Sequence, residues 1–385
     1  MNSNKKILIL ILIFVVILIA IFLFTKSDNI EILWEKNFGG KYNQDGWCVL
    51  PTKDGCITVG YTESNKNRDI YLLRVNQKGE EIWNETYGGK GIDTAKAIHK
   101  TKSDEFIIVG STDSFGRKNS NIWVLKIDGN GTEIWNETYG GDGWDEGNAI
   151  ISKDNENFII VGSTTSYGNG EDDLYLIKID TNGTLFWNIT YGGKKEDIGR
   201  SIDVSEKGYV IGGITSSFGL GGDDTWLIKI NETGHIQGNF TYGTSYNERC
   251  NQIISTSDGG YVLVGHKIKN DNRWNAYILK INKNGVKEWE KTIQKEKETG
   301  FSSCEEISKG YIVSGHIGKY GKKQDSMILI FDKSGNIITE KIISKEYGNA
   351  GVWIKKTDDS NCYITGYHEK KEEEYDIWLA KIKIK

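Results

Sequence analysis

The sequence predicts an all-β chain: a seven-bladed β-propeller of four-stranded antiparallel blades, preceded by one N-terminal transmembrane helix. Three observations carry this. A tryptophan-centred motif returns about every fifty residues, helical periodicity is absent from the repeated region, and residues 7–24 form one uninterrupted apolar run.

The apolar run, "ILILILIFVVILIAIFLF", would be about 27 Å long as a helix, close to the hydrocarbon thickness of a bilayer. Lys5 and Lys6 precede it, while Lys26, Asp28 and Glu31 follow. The positive-inside bias therefore sets residues 1–6 in the cytoplasm, 7–24 as a signal anchor, 25–29 as a linker and the rest outside. A cleaved signal peptide and a secreted domain form the alternative, but "LIAIFLFTKSDN" offers no small-x-small cleavage site and no lipobox cysteine.

Beyond the linker, "KIDGNGTEIWNETYGG" (126–141) is nearly restated as "KIDTNGTLFWNITYGG" (178–193). Aligned on its tryptophan, the repeat has register points at Trp34, Trp83, Trp135, Trp187, Gly238, Trp289 and Thr339, spaced by 49 to 52 residues. An independent acid or amide series keeps that period: Asp69, Asn121, Asp173, Asp224, Asn275, Asp325 and Asp376. Within one repeat, "TAKAIHK" (94–100), "EFIIVGST" (105–112), "NIWVLKID" (121–128) and "EIWNETY" (133–139) read as strands. The second and third are apolar on both faces, as covered strands are, and the fourth alternates as an edge facing water does. Asx opens and Gly closes the turn between the third and fourth at 76–79, 128–131, 180–183, 231–234, 282–285 and 332–335, which is hairpin chemistry. Four antiparallel strands per fifty residues describe a propeller blade.

The seventh repeat ends at "DIWLAKIKIK" without a fourth strand, whereas "EILWEKNFGG" (31–40) is a fourth strand with no blade before it. Strand 31–38 is thus expected to complete the seventh blade of a propeller spanning 30–385, removing the open edges of an unclosed stack.

The pattern LIKIDxxGxxxWNxTYGG, with GYVIxG and DDTWLIKI, resembles the repeat of prokaryotic secreted or membrane-anchored β-propellers over residues 30–385. It is more distantly similar to the quinoprotein-type repeat, in which an Asp, a Gly and a Trp mark each blade. The interval from Asp128 to Trp135 is one residue shorter than in quinoproteins, and no adjacent cysteine pair is present. The resemblance implies a fold and no quinone, so no cofactor is expected.

Candidate site residues follow the glycine pair. Asp45, Asp93, Asp145, Asp197, Glu248 and Asn349 stand just before the innermost strands, where they would either form an acidic rim around the channel or bond the N–H groups of their own glycine turns. Trp144 in "GGDGWDEG" is a large aromatic in a polar loop, suited to stacking on a sugar, anchoring a partner or packing on the next blade. Trp47 and Trp353 align with Ala97 and read as core. The loops "SYGNGEDD" (166–173) and "SFGLGGDD" (217–224) pair carboxylates without EF-hand spacing and read as solvated hairpin loops. His99, His235, His266, His316 and His368 have no metal-ligand spacing, and no metal is expected. The five cysteines read as small buried hydrophobes, with Cys48–Cys56 as a candidate bridge. Seven sequons, Asn84, Asn130, Asn136, Asn182, Asn188, Asn231 and Asn239, are candidate glycosylation sites, those on turns (Asn130, Asn182, Asn231) having the better acceptor geometry.

A net charge of -5 without a basic stripe argues against nucleic acid as a partner. The expected function is a membrane-anchored extracytoplasmic binding or scaffold module for a cell-envelope protein or surface glycan. A glycan-cleaving propeller hydrolase and a structural surface-layer component are the rival readings.

Overall fold

The computed structural model describes residues 29–64, 67–268, 273–319, 322–371 and 374–385; the expected cytoplasmic segment and signal anchor lie outside the described residues. Among the described residues, no helix is long and apolar enough to cross a membrane. These residues form 28 strands in seven four-stranded antiparallel sheets, here numbered as blades one to seven in chain order.

Blade two shows why each strand sits where it does. Its strands are Asp93–Lys100, Phe106–Thr112, Asn121–Ile127 and Glu133–Tyr139. Every residue of the second and third strands is buried, and most of the fourth is exposed, as the hydrophobic pattern requires. The Asx turn closes the outer hairpin: the Asp128 carboxylate accepts from the N–H groups of Asn130 and Thr132, both at 2.8 Å, and Gly131 turns the chain at φ 87°. An added Cβ there would meet the strained left-handed region and crowd Glu85 and Trp83 of the preceding blade.

The core lies between blades. Seven clusters of buried apolar side chains each combine two neighbours, for example Ile108 and Leu125 of blade two with Ile57 and Leu72 of blade one. The outer strand staples that interface from the rim. Trp135 Nε1 donates to the Thr181 carbonyl at 3.1 Å and Tyr139 Oη to the Gly183 carbonyl at 2.5 Å, both in the next blade's turn. Trp83 and Trp289 make the equivalent Nε1 bonds, and Tyr191 and Tyr242 the equivalent hydroxyl bonds. The motif WNxTY is complete in blades one to three, and blades four and five keep one of its two grips, Tyr242 and Trp289 respectively.

The ring closes through Ile30–Phe38, which pairs with Glu374–Ile384 as the outermost strand of blade seven. Ile30 is fully buried. Trp34 Nε1 reaches the Gln77 carbonyl of blade one, and Asn29 donates to Thr339 of blade six, so this strand ties three blades together. The first strand of each blade also touches the first strand of the next, and that of blade seven touches that of blade one, so seven inner strands surround one axial channel.

Two sequence expectations are corrected. Cys48 and Cys56 are free and belong to different interblade cores, so they point to opposite faces of blade one and form no bridge. Trp47 is not the counterpart of Ala97. The bulge in its strand falls between Gly46 and Cys48, as that of blade two falls between Ala95 and Ala97, so Trp47 corresponds to Lys96.

Candidate functional site

Where the chain passes from one blade to the next, a side chain four residues beyond the second glycine closes the turn. Asp93 accepts from Gly89 N at 2.8 Å, from Ser114 Oγ at 2.6 Å and from the Thr112 hydroxyl. Asp145 repeats this with Gly141, Ser166 and Thr164, and Asp197 with Gly193 and Thr215. Glu248 binds Thr244 through both its N–H and its hydroxyl, and Asn349 donates to Ser326 Oγ at 3.0 Å. All five are buried, with their polar atoms directed into the junctions. Asp45 is not part of this set: Gln44 pairs with Thr62 as Asp93 pairs with Thr112, and it accepts from Gly40 N at 3.2 Å. Asp45 instead accepts from Trp47 Nε1 at 3.0 Å, and burial lifts its carboxyl to about 6 against that bond. Counting four residues from the glycine finds Gln44, whereas looking for an acid finds Asp45.

The second acid of each Gly-rich loop is likewise spent locally. Asp173 accepts from Asn169 N at 2.6 Å and Asp224 from Leu220 N at 2.7 Å. Asp223 pairs with Arg249 at 2.6 Å.

These loops and the interblade turns share one face of the disc, and it is studded with apolar side chains. Trp144 is 56 % exposed, and Tyr42, Phe115, Tyr167, Leu220 and Tyr246 stand out beside it from blades one to five. Phe115 leans on Trp123 and Tyr167 on Tyr175 at ring distances of 5.1 and 5.6 Å, so these exposed rings are held in place.

A second site lies on the axis and was not legible from the repeat. Each of the seven inner strands carries a bulge at the equivalent position, and the extra residues are Trp47, Lys96, Asn148, Arg200, Asn251, Ser302 and Val352. All are half-buried, and with Trp353 they line a cavity of about 360 Å³, within the range of small-molecule sites. Lys96 donates to Glu146 at 2.7 Å and to Asn148 Oδ1 at 2.8 Å, while Asn148 and Asn251 donate to the Gly199 and Phe301 carbonyls of the next blade at 2.9 and 2.7 Å. Nearby, burial together with His316, Arg200 and Arg249 pushes His266 down to about 3, and burial takes His316 to about 4, so both imidazoles are neutral. The signal that would have found the ring is a position three residues after the junction side chain, where large or polar residues interrupt a strand of small and apolar ones.

Further along the axis, another cavity of about 390 Å³ holds Glu305, Lys355 and Asp203. Lys355 pairs with Glu305 at 2.7 Å, and Asp203 accepts from Ser255 N at 2.7 Å. Burial pushes the Asp203 carboxyl up.

The sequons divide by what their side chains already do. Asn136 and Asn239 accept from Trp123 and Trp226, and Asn231 holds its own turn through Thr233 and His235 N–H groups. Asn84 donates to Glu81, and Asn188 lies exposed on an outer strand. Asn130 and Asn182 are exposed at turn tips.

No family model matches this sequence, and no curated protein does. Among solved structures, the chain is similar to a protein of unknown function from Dyadobacter fermentans, at 11% identity and TM-score 0.52, covering 93% of this chain and 100% of that one. It is also similar to Sqt1 from Chaetomium thermophilum, at 10% identity and TM-score 0.52, covering 90% of this chain and 99% of that one. At such identities the likeness concerns the fold alone.

Proposed function

We propose that the chain is a membrane-anchored binding module that displays its propeller outside the cell and meets an envelope protein or surface glycan with its loop face. The observation that carries this is the set of exposed aromatics on that face, Trp144 at 56 % exposure together with Tyr167 and Phe115, each of the latter two braced by a neighbouring ring. Rings held at a water interface suit the centre of a recognition surface, where they cover large area at little entropic cost. The apolar run 7–24 and its flanking lysines support the anchor and its orientation.

Both halves are testable on the loop face. The native cysteines are all buried, so a membrane-impermeant maleimide applied to intact cells reads Trp144→Cys against a silent background. Labelling is expected without lysis, and labelling only after lysis would contradict the outside placement. For binding, Trp144→Ala combined with Tyr167→Ala should weaken retention on purified envelope glycans or envelope proteins at least tenfold with the melting temperature unchanged. Unchanged retention would overturn the loop face as the contact surface.

A further inference from the structure

The axial ring contains a cation that the fold does not use. Where blades three and five place Asn at the bulge and bond the neighbouring strand, blade four places Arg200. Among the described residues Arg200 has no ion pair, and its buried Nε has no hydrogen-bond partner. Burial and the nearby Arg249 loosen its hold on its proton, although Glu196 and Glu146 lie within electrostatic reach. Glu146 is already committed to Lys96. A guanidinium half-withdrawn from water, with its Nε buried and unpartnered, is costly, and an oxyanion on its fork would offset that cost.

The rest of the cavity describes the body attached to such an anion. Trp47, Val352 and Trp353 of the adjoining blades one and seven line it across the ring from Arg200, which Asn148 and Asn251 flank, and Lys96 Nζ lies over the Trp47 ring at 5.8 Å. Trp47 is braced edge-on against Tyr61 at 5.8 Å. Asn251 donates through its Nδ2 to the Phe301 carbonyl, so its Oδ1 remains available as an acceptor, and Ser302 adds a hydroxyl to the same lining. One apolar aromatic wall, hydroxyl-binding groups and one unpaired guanidinium match the three faces of a sugar acid.

We infer that the channel ring binds an anionic sugar unit, with its carboxylate on Arg200 and its apolar face against Trp47 and Trp353. The site is on the axis and does not depend on the loop-face reading. Its test is isothermal titration of the full chain in an uncharged, sugar-free polyoxyethylene detergent, with glucuronate, glucose and sodium sulfate as probes. Glucuronate should bind saturably and glucose at least tenfold more weakly. Arg200→Gln should weaken glucuronate at least tenfold, Arg200→Lys should weaken it less, and neither should lower the melting temperature of the unliganded chain. Trp47→Leu should weaken glucuronate several-fold. Absence of saturable glucuronate binding, equal affinity in Arg200→Gln, or a large melting loss in that variant would overturn the proposal. Sulfate binding as tightly as glucuronate and indifferent to Trp47→Leu would overturn the sugar assignment.

Discussion

The outer hairpins and the axial ring are both built once per blade, yet they differ in how the sequence treats them. At the rim, the Asx turn returns in blades one to six, and the tryptophan or tyrosine kept at Trp83, Trp135, Trp289, Tyr139 and Tyr191 makes the same bond to the next blade. On the axis, seven equivalent bulge positions carry six residue types, only Asn occurring twice: Trp47, Lys96, Asn148, Arg200, Asn251, Ser302 and Val352. A side chain that must do the same mechanical task in every blade is repeated. A position freed from that task by a bulge can diverge, and bulges often re-aim side chains toward a site.

The largest way to break the rim is to remove its closure. Deleting 30–38 exposes the edge of blade seven and the core around Ile30, and should cost more than ~3 kcal/mol, since burying Ile30 alone is worth roughly 1.5–3 kcal/mol. Thermal melting checks it, and an unchanged midpoint would sink the closure model. One step smaller, Trp135→Ala removes a half-buried ring and its bond to Thr181, for an expected loss of about 2 kcal/mol in denaturant unfolding.

A finer contrast separates junctions by charge. In blade four the Asp224 carboxylate meets Glu248 beside Gly243, and burial, then Glu248 and Asp223, raise it to about 6 against the Leu220 N–H bond. The folded chain therefore holds a proton that the unfolded chain, titrating near 3.8, releases. This contribution to stability is full below about pH 4 and is lost as pH rises through about 6. Asp224→Asn, the residue type already present at Asn121 and Asn275, should gain on the order of 1 kcal/mol over the native chain at neutral pH and nothing below about pH 4. Parallel melting curves across that range would contradict it. The two buried histidines act with the opposite sign. Their lowered values mean that stability is present above about 6.5 and is lost as pH falls toward 3 to 4.

The rim was legible in the sequence because its determinants are local: a turn needs its Asx and Gly in fixed order, and a covered strand needs an apolar run. Blade two's strands begin and end within a residue of the runs read from hydrophobicity. The axis was harder to read, because a bulge is a register event between two strands, and its mark in the sequence is only a large or polar residue three positions after the junction side chain. Asp45 stands one residue beyond the junction because the junction residue of blade one is the uncharged Gln44, and Trp47 stands one residue before Cys48, the counterpart of Ala97. The carboxylates at the other junctions were found by spacing, but their burial depends on Thr and Ser side chains about twenty residues onward.

The most direct measurement is calorimetric melting of Arg200→Asn, which gives blade four the bulge residue that blades three and five carry. If the ring is free of structural duty at Arg200, the midpoint will equal or exceed that of the native chain, with the new amide positioned to bond the Cys250 carbonyl as Asn148 bonds that of Gly199. A midpoint lowered as far as that of Trp135→Ala would show that the axis is scaffold like the rim, and the distinction drawn between them would fail.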